Sequence, residues 1–118
     1  MFALSSSYRL LLYNCPTDMR KSFNGLCGLV TGKLGGNPQS GEVFIFINKR
    51  RDKIKLLHWE PGGFVLYYKR LEQGTFEMPR CEGNCYRMRW AELALMISGL
   101  SAGQLRQRKR YNPPCFGG

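Results

Sequence analysis

By their type and spacing, the residues of this chain best suited to binding a ligand are the Lys and Arg residues between Phe46 and Arg70. The segment carries seven Lys or Arg residues and two acidic ones, so its net charge is +5, half of the +10 of the whole chain. Basic side chains at this density are typical of surfaces that bind anionic partners, and Arg can grip a phosphate or a guanine through two hydrogen bonds. The composition therefore favours a nucleic-acid partner first and an anionic membrane surface second.

The pattern around this charge predicts a hairpin. Lys49, Arg50 and Arg51 fall at the turn, and Lys53 and Lys55 follow on one face of the next strand. A two-stranded ribbon of this kind can lie along a phosphate backbone or enter a major groove. The alternative is a solvated turn beside an edge strand whose charges prevent pairing between sheets. The sequence leaves both interpretations open.

Two further basic groups extend the predicted nucleic-acid site. Arg20 and Lys21 fall in the first turn of a predicted helix, where free amides can bind a phosphate, although a solvated helix start is the interpretation we favour. Residues 105–118 form a basic tail that is either a flexible arm or a solubilising terminus, following a single globular domain at 1–104. The predicted nucleic-acid-binding residues are Arg20, Lys21, Lys49, Arg50, Arg51, Lys53, Lys55, Arg106, Arg108, Lys109 and Arg110.

Aromatic residues interleave with the basic ones, which is a pattern that can stack on the bases of a single strand. At strand spacing most of these aromatics belong to a core. Tyr67 and Tyr68 are the best candidates for surface positions because their hydroxyl groups tolerate water.

Catalytic chemistry finds little support, so we predict a protein that is not an enzyme and has no cofactor. His58 and Glu60 would share one face of a strand and could act as an acid–base pair. The interpretation we favour for His58 is a partly buried polar group with a backbone partner. No phosphate-cradling glycine motif and no order typical of a nucleophilic triad is present.

A metal site is also disfavoured. The chain has five cysteines, and Cys81 and Cys85 form a C-x3-C spacing that could supply half of a zinc site. Because no second half is evident, we favour reduced thiols flanking a Gly83-Asn84 turn. No apolar run is long enough to span a membrane and no signal peptide is evident, so we expect a cytoplasmic location with reduced thiols.

The hydrophobic pattern predicts an α+β fold: an antiparallel meander of five or six strands, with one helix packed on a face and a second, short C-terminal helix. We expect Glu42–Asn48 to be covered on both faces, Thr17 and Asp18 to cap the first helix, and the Leu56-Leu57 doublet to mark a bulge or twist. The predicted strands are Tyr8–Tyr13, Glu42–Asn48, Lys53–Glu60, Phe64–Arg70, Thr75–Met78 and Tyr86–Arg89, and the predicted helices are Met19–Leu34 and Trp90–Ser98.

The order of several motifs resembles a known family. TDMRKSFNGL at residues 17–26 and SGEVFIFINKRRDKIKLLHWEPGGFVLYYKRLEQGTFEMP at 40–79 are similar to the TnpB or Orf2-like accessory proteins of bacterial insertion sequences of the IS sixty-six type. The later WAELALMISGL also fits this pattern, and the match covers about three quarters of the chain.

The resemblance implies a bacterial mobile-element protein that acts beside a separate transposase in DNA recombination. It transfers no catalytic residues. We therefore expect a non-catalytic transposition factor that binds DNA, with the element ends as the target. The alternative is a protein-interaction module that docks onto the transposase or another accessory subunit without binding DNA. The sequence gives no oligomeric state.

Overall fold

The computed structural model describes residues 7–98, which form one five-stranded sheet between two helical layers. The sheet order is β4-β3-β2-β1-β5. Along the chain the elements are β1 (Leu10–Tyr13), α1 (Phe23–Leu29), a π-helical segment (Val30–Leu34), β2 (Val43–Ile47), β3 (Lys53–Glu60), β4 (Gly63–Arg70), β5 (Cys85–Met88) and α2 (Trp90–Ser98).

The α+β class is confirmed, but the sheet is mixed rather than a purely antiparallel meander. Strands β2, β3 and β4 form the predicted meander, and β5 pairs antiparallel with β1. Strand β1, however, runs parallel to β2, with Leu10 opposite Val43. The connection between these two strands passes through α1, and a crossover of that length allows parallel pairing, which a short turn does not.

The predicted strand Thr75–Met78 is wrong, because residues 75–80 have no regular structure. The apolar residues of that segment serve the core instead: Phe76 is buried, and its N–H donates to the carbonyl of Arg51 (2.6 Å). The fifth strand of the sheet is therefore β5, which follows the Gly83-Asn84 turn.

The sheet has a hydrophobic core on each face. All five residues of β2 are buried, which confirms that this strand is covered on both sides. Leu56 packs in the core that α2 and residues 71–81 cover, whereas Leu57 packs in the core under α1. The doublet therefore needs no bulge, and the register of β3 with both neighbouring strands is continuous.

The first helix begins later than predicted. Ser22 precedes α1, so the prediction that Thr17 and Asp18 cap this helix is wrong. The Thr17 N–H donates instead to the carbonyl of Ile47 (2.9 Å), which fastens this segment to the end of β2. The helix continues into the π-helical segment and ends at Gly35, whose φ of 67° a glycine adopts without strain.

Neither helix found within residues 7–98 has the length and apolar character needed to cross a membrane. The basic tail at 105–118 lies outside the described residues, so the proposed boundary after residue 104 stays a prediction.

Candidate nucleic-acid interface

An open groove of about 500 Å³ lies beside the turn between β2 and β3. One wall is the turn itself and the other is the segment from Pro16 to Arg20, which the bond from Thr17 to Ile47 holds against the end of β2. Four predicted site residues line the groove: Arg20, Lys49, Arg50 and Lys53. Basic groups separated by about thirty positions in sequence thus meet at one end of the sheet.

The turn is held in shape by the side chain of Asn48. Its Oδ1 accepts hydrogen bonds from the N–H groups of Asp52 and Lys53 (both 3.0 Å), and its Nδ2 donates to Asp52 Oδ1 (2.7 Å). This last bond is the main reason why the pKa of Asp52 lies below its usual value. The basic side chains of the turn therefore project from an ordered backbone.

Arg51, in the same turn, has a φ of 61°, in the left-handed region that favours glycine. Its N–H donates to the carbonyl of Asn48 (3.0 Å), and its own carbonyl accepts from Phe76. The side chain of Arg51 is exposed. The backbone at this position is thus fixed by contacts on both sides.

The opposite wall carries one carboxylate next to one guanidinium. Asp18 Oδ2 lies 2.6 Å from Arg20 Nη2, and Asp18 Oδ1 accepts from the Arg20 backbone N–H (2.9 Å). The side-chain hydrogen bonds from Arg20 lower the pKa of Asp18 to about 2. Asp18 is therefore ionised at neutral pH and partly neutralises the groove.

Lys55 does not lie on the surface of the groove, although the sequence placed it in the binding site. The residue is 5% exposed, and its Nζ donates to the carbonyl oxygens of Met19 (2.8 Å) and Lys21 (2.7 Å). Burial lowers its pKa. Lys53 and Lys55 do share a face of β3, as predicted, but the segment after Asp18 covers only the second of them. Lys55 holds that segment in place.

The basic side chains differ in whether a carboxylate neutralises them. Outside the groove lining, Arg9, Arg70 and Arg89 each pair with a glutamate, at 3.4, 3.0 and 3.6 Å respectively, whereas Lys33 and Arg87 form no salt bridge within residues 7–98. In the groove, Lys53 lies 3.6 Å from Asp52. Within residues 7–98, by contrast, Lys49 and Arg50 form no salt bridge. Neither side chain is therefore held by an ion pair, although the charge of Arg50 contributes to the lowered pKa of Asp52.

Tyr68 also lines the groove and is 51% exposed. It lies on β4 opposite Lys55, whose ammonium is 4.5 Å from the centre of its ring. The sequence predicted that Tyr67 or Tyr68 would reach the surface. Tyr67 is only partly exposed and packs against the core under α2, because it points to the other face of β4.

A family model described as "IS66 Orf2 like protein" matches residues 8–107. The chain belongs to this family. Its members are accessory proteins of transposition. The matched residues include both walls of the groove.

Two relatives come from Sinorhizobium fredii (strain NBRC 101917 / NGR234). Uncharacterized protein y4jC is 30% identical over 113 residues, which is 96% of this chain and 97% of the relative. Uncharacterized protein y4hO is 30% identical over 100 residues, or 85% and 87% of the two chains. No solved structure matches this chain.

In this family member, His58 has a backbone neighbour as predicted, but it is fully and not partly buried. It is 3% exposed, its Nδ1 lies 3.5 Å from the carbonyl oxygen of Glu42, and its ring centre is 4.5 Å from that of Tyr8. Glu60, two residues further along β3, is partly exposed. These contacts describe a packed histidine with a backbone neighbour.

The cysteines were the other candidate ligands. Burial is the main factor that raises the pKa of Cys27 and of Cys85 above 9.0. Among the residues that the structure describes, no three His, Cys, Asp or Glu side chains cluster as they would around a metal ion. Cys115 lies outside those residues, as do the predicted binding residues Arg106, Arg108, Lys109 and Arg110.

The sequence missed the residues that give the groove its shape. Asn48 and the Met19 carbonyl act through hydrogen bonds that depend on tertiary structure. Only the role of Asn48 could have been predicted from the local sequence. An Asn between a strand and a turn often forms side-chain hydrogen bonds with the backbone that follows it.

Proposed function

We propose that this protein is a non-catalytic accessory factor of transposition that binds DNA through the groove, with the ends of the element as the target. The observation that carries the proposal is the convergence of Arg20, Lys49, Arg50 and Lys53 on one open groove. Family membership supports the setting in transposition.

The charge distribution supports DNA over a smaller anion. The groove is open and shallow, so it suits an extended polyanion that passes through it. Lys49 and Arg50 form no salt bridge within residues 7–98, so they bind phosphate without first breaking one. Lys21 and Arg51 follow groove residues in sequence and are exposed, so they could add phosphate contacts next to it. Contacts of this kind position DNA but do not by themselves read its sequence.

A fluorescence anisotropy titration tests the proposal. Labelled DNA from an element end is titrated with the full-length protein at several salt concentrations, beside an unrelated DNA of the same length. About six phosphate contacts predict a loss of affinity on the order of 10³ between about 50 and 200 mM salt. Affinity that ignores salt, or a dissociation constant weaker than about 10⁻⁴ M, contradicts the proposal.

The protein-docking alternative stays a prediction with less to support it. An apolar sheet face left uncovered would support docking, but the described residues bury β2 and most of β3 on both faces. Co-purification of the transposase from nuclease-treated lysate separates the two functions. A complex that survives the nuclease, together with an isolated protein that ignores DNA, favours docking.

The tail is a separate part of the proposal. Arg106, Arg108, Lys109 and Arg110 would add phosphate contacts to those of the groove. A protein truncated after residue 104 should keep binding with a shallower salt dependence, because fewer counterions are released. Unchanged salt dependence would assign the tail a role other than DNA binding.

A further inference from the structure

We propose that the groove takes an unpaired DNA strand, with one base stacked on Tyr68 and the neighbouring phosphates on Lys49, Arg50 and Lys53. This inference rests on the proposed function and names the form of DNA that the groove prefers. It follows from the position of one exposed aromatic ring among the cations of the groove.

Tyr68 is large, apolar and 51% exposed, on the outermost strand at the β4 edge of the sheet. Lys55 lies against the ring, with its ammonium 4.5 Å from the ring centre. That ammonium is itself held by the carbonyl oxygens of Met19 and Lys21. The ring therefore has a fixed support on the Lys55 side, and about half of the side chain is exposed to a ligand.

The register of the sheet places cations beside this ring. Tyr68 pairs with Lys55, and Lys53, two residues earlier on β3, pairs with Arg70. Lys53 and Tyr68 line the groove together with Lys49 and Arg50 from the adjoining turn. A basic groove with an aromatic ring on its wall is the arrangement that single-strand binders use, in which cations follow the backbone and bases stack on the ring.

Duplex DNA cannot use this ring in the same way. In a duplex each base is covered by its neighbours in the stack, and exposing a base face costs unstacking energy. The phosphates of both forms can reach the cations, so charge alone does not separate them. Tyr68 is thus the residue that should discriminate between an unpaired strand and a duplex.

Binding of two probes tests this inference: a labelled single strand of about 12 nucleotides, within the ~4–16 that such sites cover, and the same strand annealed to its complement. At equal salt the full-length protein should bind the single strand more tightly. Tyr68→Leu keeps an apolar contact with Lys55 but has no aromatic face. It should weaken single-strand binding about 5- to 150-fold, the equivalent of one lost base stack, and leave duplex binding within about twofold.

Two matched variants complete the design. Tyr68→Phe keeps the ring and should bind both probes within about twofold of the natural protein. Trp90→Leu removes another exposed aromatic, on the helix that packs on the other face of the sheet, and should leave both affinities unchanged. A thermal unfolding curve for each variant shows that it is folded. Where a variant does not fold, the probe preference of the unmutated protein still tests whether the groove prefers an unpaired strand, and equal binding of the two probes overturns the inference.

The outcomes separate the two proposals. If the duplex binds as tightly as the single strand, or if Tyr68→Leu weakens both probes equally, the stacking inference is wrong and DNA binding stands. If neither probe binds, the proposed function itself fails. A preference for the single strand that Tyr68→Leu removes and Tyr68→Phe preserves supports the inference.

Discussion

The ammonium of Lys55 lies 4.5 Å from the centre of the Tyr68 ring. The same ammonium donates hydrogen bonds to the carbonyl oxygens of Met19 and Lys21, which flank Arg20 on the opposite wall of the groove. The buried side chain of Lys55 therefore connects Tyr68 on β4 to the groove wall that carries Arg20. It does so without facing the solvent, so its contribution to binding is to position other groups.

Replacing Lys55 should therefore affect stability more than electrostatics. Lys55→Met keeps most of the volume but loses two hydrogen bonds from a charged donor, each worth about 1.5–3 kcal/mol, and this loss is partly offset because a buried charge is removed. We expect a net decrease of about 1–3 kcal/mol in the free energy of unfolding, measured by urea denaturation.

Lys53→Met is the matched control for this prediction. Lys53 lies on the same face of β3 but is more exposed, and its ion pair with Asp52 is worth less than about 1 kcal/mol. It should lower stability little and weaken DNA binding. The opposite result, a stable Lys55→Met protein whose salt slope falls by about 0.7–0.9, would mean that Lys55 contacts DNA directly.

The basic turn should account for a measurable part of the salt dependence. Each phosphate contact contributes about 0.9 to the slope of log K against log salt for duplex DNA and about 0.7 for a single strand. Lys49→Ala combined with Arg50→Ala should thus reduce the slope by about 1.4–1.8, with little change in melting temperature because both side chains are exposed.

Arg9→Ala serves as the comparison for this double variant. Arg9 is also exposed, but it pairs with Glu42 and precedes β1 at the end of the sheet away from the turn. Its removal should leave the slope unchanged. A decrease in slope for Arg9→Ala about half that of the double variant, and so equal per charge removed, would indicate that DNA responds to the net charge of the protein and not to the groove.

The sequence was sufficient to predict elements whose signals are local. The continuous apolar run of β2 predicted burial on both faces, and the pattern from Trp90 to Ser98 predicted α2 with the bounds observed. The charged turn after Asn48 was also predicted correctly. In each case the residues of one segment determine the outcome.

Features that depend on distant segments could not be predicted in this way. The alternation of side chains along a strand placed Lys53 and Lys55 on one face of β3. It could not show that residues 19–21 cover only Lys55. The parallel pairing of β1 with β2 depends on the path of the connection, and the apolar residues of Thr75–Met78 are equally suited to a strand and to a loop that fills the core.

The backbone conformation of Arg51 leads us to expect that replacing this residue by glycine increases stability but weakens DNA binding. Its φ of 61° costs an L-residue about 1–2 kcal/mol, which glycine avoids, although glycine also gains entropy in the unfolded chain. Arg51→Gly should therefore raise the free energy of unfolding by about 0.5–1 kcal/mol while removing one cation from the surface. Chemical denaturation and the DNA titration measure the two effects.

Arg50→Gly is the control within the same turn, because the positive φ is at Arg51 and not at Arg50. It should lower stability by about 0.5–1 kcal/mol and also weaken binding. If Arg51→Gly were destabilising by a similar amount, the left-handed backbone at this position would not be the source of strain.

The ion pair between Asp18 and Arg20 predicts how one carboxyl titrates. Arg20 lowers the pKa of Asp18 to about 2 from 3.8, so this group's contribution to stability is fully present above pH 3.8 and is lost as the pH falls through about 2. NMR of the carboxyl group should show a midpoint near 2. In Arg20→Ala that midpoint should rise towards 3.8. Lys21→Ala should move it less, because the charge of Lys21 is the weakest of the influences on Asp18.

The same ion pair restrains Arg20 at neutral pH. Asp18→Asn should therefore free the guanidinium and tighten DNA binding. A variant that binds DNA no better would show that Arg20 does not contact phosphate.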